Sequence, residues 1–380
     1  MRSEDEPGAR PTQAPSRPLD ARAQVLLSWL DLIGAPRLHT RSVAEARREF
    51  RLTIASTSHV AAVEEVRSIT VPTPAGPLAA RVYRPKGAEG RLPLLVWFHG
   101  GGFVIGDLST ADPTCRALAS QSGAMVVSVD YRCAPEHPPA AALDDCLAAT
   151  AWVAENGGNL GGDGSRIAVG GDSAGGTLAA LVALAARDRD LKLALQLLIY
   201  PATDLTLSHP SVSEFGRAPF LLDMRALTWF TDHFLQGSAA NDPSVSPLFA
   251  ADFSGVAPAM VITAEYDPVR DEGEAFAARL RESGVAVDHV RYAGQMHGFF
   301  TMDLVFPAAR RAQHRAAVGL AAHLGLPAPK TVRLPRFINA VTLARLGAAT
   351  AASSAMLGRR QAESLYRWMQ ALTAPPAPDA

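Results

Sequence analysis

The chain has 380 residues, 48% hydrophobic and 19% charged, enough for one large α/β domain with a sizeable core or for two small ones. A formal net charge of -1 offers nucleic acid no basic excess or stripe. The three cysteines, Cys115, Cys133 and Cys146, give no disulfide framework and fit a reducing compartment. The first residues lack the apolar core of a signal peptide and no apolar run reaches the length of a membrane span, so a cytoplasmic protein is expected.

Residues 1–17 are rich in Pro, Arg and acidic groups and are expected to be disordered. From Pro18 the pattern turns helical: Val25, Leu26, Trp29, Leu30 and Ile33 fall at helical spacing, and Gly34-Ala35-Pro36 stops the run. Ser42 caps a second helix reaching Phe50. Strands follow. Val66 to Val71 and Leu78 to Tyr83 flank a break at Pro72–Gly76. Leu94 to Phe98, Ala124 to Val129, Ile167 to Gly170, Leu195 to Tyr200, Ala259 to Ala264 and Val287 to Tyr292 are short apolar runs. Helical segments at 111–122, 140–155, 176–187 and 273–283 lie between them. This alternation predicts an α/β class: a mostly parallel eight-stranded sheet covered by helices on both faces. Sites in such sheets form at the carboxyl ends of the strands. His99, Asp130, Ser173, Asp267 and His297 all stand just after strands.

The connection from Tyr200 to Ala259 is long and holds a helix at about 223–235. Segments of about 18–60 and 203–240 are expected to cap the site of an 18–330 domain. The Arg-punctuated tail 331–380 has no strand pattern and reads as a helical extension. It suits an added packing element, a homodimer contact or, least well, an interfacial helix.

Gly171-Asp172-Ser173-Ala174-Gly175 is a G-x-S-x-G sequence between an apolar strand and an apolar helix. A serine hydroxyl attacks only once a base takes its proton. The motif sets it on a sharp strand-to-helix turn, where flanking glycines relieve crowding and a helix N-terminus favours negative charge. The bare motif fits any Gly-rich turn; its strand and helix context is what gives it weight. His99-Gly100-Gly101-Gly102-Phe103 follows a buried strand. The N–H groups of Gly101, Gly102 and Ala174 are candidates to hold an oxyanion. A phosphate loop would want Gly-Lys-Ser/Thr, and the lysine is absent. His99 itself reads as a loop brace. A base histidine needs a carboxylate. His297 follows a late strand, with Asp267 the preferred partner over Glu265, Asp271 and Glu272, because it sits at the strand exit. Asp271 and Glu272 read as first-turn residues of the next helix. Phe103, Phe220, Leu221, Trp229 and Phe299 are candidate pocket walls, although aromatics near a site more often belong to the core.

These residues, with Tyr131–His137, Asp242-Pro243, Ser246-Pro247-Leu248, Asp267–Gly273 and His297-Gly298-Phe299, resemble the hormone-sensitive-lipase family of α/β-hydrolases, in its bacterial esterase branch, from about Pro18 to Leu326. The resemblance implies a catalytic triad of Ser173, Asp267 and His297 in the family's chain order. It implies an oxyanion hole from Gly101, Gly102 and Ala174, and a helical cap. It also implies hydrolysis of short- to medium-chain carboxylic esters as small-molecule substrates, with no metal and no organic cofactor. Cys133 departs from the family's usual Leu and reads as a small buried hydrophobe. Tyr131–His137 reads as a Pro-stiffened turn in which Arg132 and Glu136 pair. The same machinery serves acyl transfer and amide cleavage. Inactive relatives of the fold bind small molecules, but with a broken triad. A true lipase fits less well, since no strongly apolar lid stands out.

Overall fold

The computed structural model of the protein describes residues 15–329 apart from 33 and 190. The expectations for 1–14 and for the extension at 331–380 therefore fall outside the described residues. Residues 15–17 correct the expected disorder. The N–H and hydroxyl of Ser16 donate to Glu265 at 2.6 and 2.7 Å. Composition cannot register so distant a tether.

In chain order the helices are α1 (Ala21–Leu32), α2 (Val43–Thr57), α3 (Leu108–Ser122), α4 (Pro139–Leu160), α5 (Ala174–Arg187), α6 (Pro210–Phe215), α7 (Met224–Leu235), α8 (Arg270–Glu282) and α9 (Pro307–His323). The strands are β1 (Glu65–Thr73), β2 (Gly76–Arg84), β3 (Leu92–Phe98), β4 (Met125–Val129), β5 (Gly162–Asp172), β6 (Gln196–Ile199), β7 (Ala259–Tyr266) and β8 (Val287–Met296). They form one eight-stranded sheet in the order β1-β2-β4-β3-β5-β6-β7-β8. β2 runs antiparallel to β1 and β4, and the other pairings are parallel.

The central strands explain the layering. Every residue of β3 is buried, because both faces of a parallel sheet are covered. Leu94, Val96 and Phe98 point into a core shared with α4, α5 and α8. Leu95 and Trp97 point into a second core closed by α1, α3 and α9. Local signals set the helix ends. Ser42 and Glu45 form a reciprocal cap at α2, and Asp107 accepts from Ser109 and Thr110 at the start of α3. Two helices, α6 and α9, have no counterpart in the sequence reading. α9 buries Ala308, Ala309, Ala312, Ala316 and Ala317, an alanine face with too little contrast to mark a period. The expected Arg132–Glu136 pair does not form. Arg132 binds Asp145 at 2.8 Å through two nitrogens, and Glu136 binds Arg47 at 2.7 Å. Both partners lie on helices whose packing the turn sequence does not encode.

Candidate active site

β5 ends at Asp172 and α5 begins at Ala174, so Ser173 alone makes the turn. Its backbone sits at φ 54°, ψ −122°, a strained region that costs about 1–3 kcal/mol. The turn survives because its surroundings permit nothing larger: a Cβ on Gly175 would lie 2.0 Å from the Phe98 carbonyl oxygen. The Ser173 N–H is fixed to the Ile199 carbonyl at 2.8 Å.

The partners of Ser173 arrive through strand register. β7 and β8 are adjacent and parallel, with Tyr266 opposite Met296. The next residue on each strand is Asp267 and His297, and the two side chains meet at 2.7 Å from Oδ2 to Nδ1. His297 Nε2 lies 2.9 Å from Ser173 Oγ. Asp267 is fully buried and its Oδ1 accepts from the Val269 N–H at 3.0 Å. An ionised carboxylate only accepts, so it fixes a proton on Nδ1 and leaves Nε2 free to accept from the serine hydroxyl. The competing carboxylates are engaged elsewhere. Glu265 binds Ser16 and Gly294, Asp271 binds Arg270 and the Ser211 N–H, and Glu272 accepts from the Asp204 N–H.

The loop after β3 passes beside this chain. Gly101 and Gly102 take φ values of 122° and 58°, and a Cβ on Gly101 would lie 2.1 Å from the Ile105 carbonyl oxygen. Among the described residues the N–H groups of Gly101, Gly102 and Ala174 have no protein acceptor. The His99 ring braces the loop. Its Nδ1 lies 2.9 Å from the Gly100 carbonyl and its ring stacks on Tyr131 with centroids 4.2 Å apart. Burial pulls His99 below its usual range, and Nδ1 donates because the Gly100 carbonyl can only accept.

Two neighbours carry no signal in the motif reading. Asp172 is buried, and its Oδ1 accepts from the Gly100 N–H at 3.0 Å. Burial pushes its carboxyl up to about 6, against the opposing pull of the Gly100 N–H and of His297. Tyr200, at φ 35°, sets its ring 4.6 Å from that of His297.

A cavity of about 230 Å³ opens onto Ser173 and His297. Its walls are Phe103 from the glycine loop, Leu38 and Phe50 from the N-terminal segment, and Leu227, Phe230 and Phe234 from α7. Leu221 also lines it, whereas Phe220, Trp229 and Phe299 do not. Phe220 packs with Phe215 and Tyr266. Phe299 is buried against Tyr200 and Tyr292. Trp229 sits beside His233 and Phe230 without reaching the cavity. Neighbouring helix positions point about 100° apart, so a residue beside a wall position on α7 need not share its face. Leu227, Phe230 and Phe234 share one face at helical spacing, a signal the sequence does contain.

Residues 95–301 match the family described by the alpha/beta hydrolase fold. The chain is 40% identical over 326 residues to the carboxylic ester hydrolase LipN of Mycobacterium tuberculosis, covering 80% of this chain and 83% of that one. It is 36% identical to the ethyl acetate hydrolase of Pseudomonas putida, over 79% of this chain and 98% of that one. The solved structure of the hyperthermophilic esterase from the archaeon Pyrobaculum calidifontis is similar, with a TM-score of 0.74 and 41% identity over 80% of this chain and 99% of that one. With the family's fold and matching relatives of this kind along most of its length, the chain belongs to the hormone-sensitive-lipase-like branch of the α/β-hydrolases and is a carboxylic ester hydrolase.

Proposed function

We propose that the protein is a serine carboxylesterase acting on short- to medium-chain esters through an acyl-enzyme. The unbroken hydrogen-bond chain from Ser173 through His297 to Asp267, at 2.9 and 2.7 Å, carries this reading. His297 takes the Ser173 proton as Oγ attacks the ester carbonyl. The oxyanion is held by the N–H groups of Gly101, Gly102 and Ala174, which have no other acceptor among the described residues. The imidazolium returns its proton to the leaving alcohol. Water, activated by the same ring, then releases the acid, with Asp267 holding the ring in place through Nδ1. The cavity supports the chain-length range: about 230 Å³ lies below the roughly 300–1,000 Å³ of sites for drug-sized ligands. The three unpaired cysteines support a reducing, cytoplasmic setting.

Hydrolysis of p-nitrophenyl esters from acetate to palmitate, measured beside Ser173→Ala and His297→Ala, tests the reading. Activity is expected on the short esters, with a steep fall towards palmitate. Either substitution is expected to lower kcat by about 10⁴-fold or more. A histidine general base makes the wild-type rate rise with pH, and a profile flat between about pH 5 and pH 8 would contradict that role. Full turnover by folded Ser173→Ala would remove the serine mechanism altogether.

A further inference from the structure

One buried carboxylate outside the hydrogen-bond chain of the site is bound at both oxygens. Glu265, near the end of β7, is 1% exposed. Its Oε1 accepts from the Ser16 N–H at 2.6 Å and from the Ser16 hydroxyl at 2.7 Å. Its Oε2 accepts from the Gly294 N–H of β8 at 2.7 Å. The strap from Ser16 to Asp20 makes further ties to the same two strand ends. The Tyr266 hydroxyl donates to the Arg17 carbonyl at 2.7 Å, the Asp20 N–H donates to the Gly294 carbonyl at 2.8 Å, and Gln295 Nε2 donates to Asp20 at 3.3 Å.

The β7–β8 pairing is irregular at this point, with a register shift between Ala264 and Tyr266 and Gly294 at φ 71°. An irregular stretch leaves ladder N–H groups in need of acceptors, and Glu265 supplies one. A side chain at position 294 would collide with the strap, since its Cβ would lie 2.9 Å from the Pro18 carbonyl oxygen. Burial opposes a charge on Glu265, but the bonds from Gly294 and Ser16 outweigh it and hold the carboxyl below its usual range. The clasp is therefore made of charge-assisted hydrogen bonds, the stronger kind. It closes just upstream of Asp267 on one strand and of His297 on the other.

We propose that Glu265 and the Ser16–Asp20 strap form a clasp that fixes the spacing of the strand ends carrying Asp267 and His297, which makes Glu265 a positioning residue for the reaction. The inference rests on the roles assigned to Asp267 and His297 above. A small displacement between acid and base would weaken the bond that stabilises the imidazolium, and misplacement of about 1 Å costs on the order of 100-fold in rate.

The test uses the full chain with Glu265→Gln and Ser16→Pro, the second removing both donors to Oε1 while leaving Glu265 in place. His297→Ala runs in parallel. For both clasp variants the expected result is a cooperatively folded protein whose kcat falls about 10- to 100-fold with KM little changed. The acid limb of the pH–rate profile moves to lower pH, because the imidazolium loses part of its partner; Asp172, the other carboxylate near His297, is untouched by either change. Wild-type kcat and an unmoved acid limb in Glu265→Gln would overturn the inference, as would a loss of activity that only tracks the loss of folded protein. If Glu265→Gln does not fold, Ser16→Pro decides alone, and wild-type behaviour in it removes the strap from the site's support. Full activity in His297→Ala would instead strike the reading of the site itself.

Discussion

Asp172 ties the nucleophile turn to the glycine loop through Gly100, and it does so as a carboxyl that burial pushes up to about 6. Its folded-state pKa is raised, so its contribution to stability is fully present below the unfolded value of about 4 and is lost as pH rises through about 6. Above that window the fold carries a buried charge. Asp172→Asn keeps an oxygen for Gly100 and cannot ionise. Its stability relative to wild type is therefore expected to improve by up to about 3 kcal/mol between pH 4 and pH 7. Urea unfolding at the two pH values checks this, and parallel curves would rule it out. Burial acts in the same direction on Cys133, pushing its thiol up to about 12, so it stays protonated and unreactive. At this scale the sequence was informative where chemistry imposes spacing. Ser173, Asp267 and His297 each follow a strand, and they meet. It was silent on Asp172 and Tyr200, whose environment comes from packing. It misled on Trp229, because an aromatic residue near a site does not report which way its helix turns.

α7 is the element that shapes the cavity. Phe230 presses on the glycine loop so closely that a Cβ on Gly102 would lie 2.1 Å from its ring, and Phe234 stacks on Phe103 with centroids 3.9 Å apart. Phe230→Ala is expected to open the cavity at this end and shift preference towards longer acyl chains. The ratio of kcat/KM for octanoate over acetate esters should rise by roughly 10-fold, the scale on which a hydrophobic pocket discriminates. An unchanged ratio would place the acyl chain elsewhere. The strands and the long helices were legible as elements, since buried parallel strands are short continuous apolar runs. Their ends were less so. β5 begins at Gly162, where Gly-Asp-Gly-Ser resembles a turn, and it pairs with β3 all the same.

Across the whole molecule the helices form two layers, and one of them depends on small residues. α9 packs against α3 and buries a row of alanines, with Ala316 fully buried. Ala316→Leu would overfill that interface at a cost of about 1–3 kcal/mol, seen as a melting temperature lower by several degrees. The chain-length preference should stay unchanged, because the substitution lies on the opposite side of the sheet layer from α7. The α/β class was legible from alternating strands and helices. The strand order was not, because nothing in the connections says that β4 lies between β2 and β3. That order also sets a sequence in time. Ser173 and His297 are 124 residues apart, and Ser16 must wait for Glu265, 249 residues later. As a ribosome extends the chain, the nucleophile emerges well before its base, and the strap emerges first of all but closes near the end. Under the proposed mechanism a nascent chain halted between the two holds a serine with no proton acceptor. Under that mechanism hydrolysis can begin only once the last strands of the sheet have been laid down.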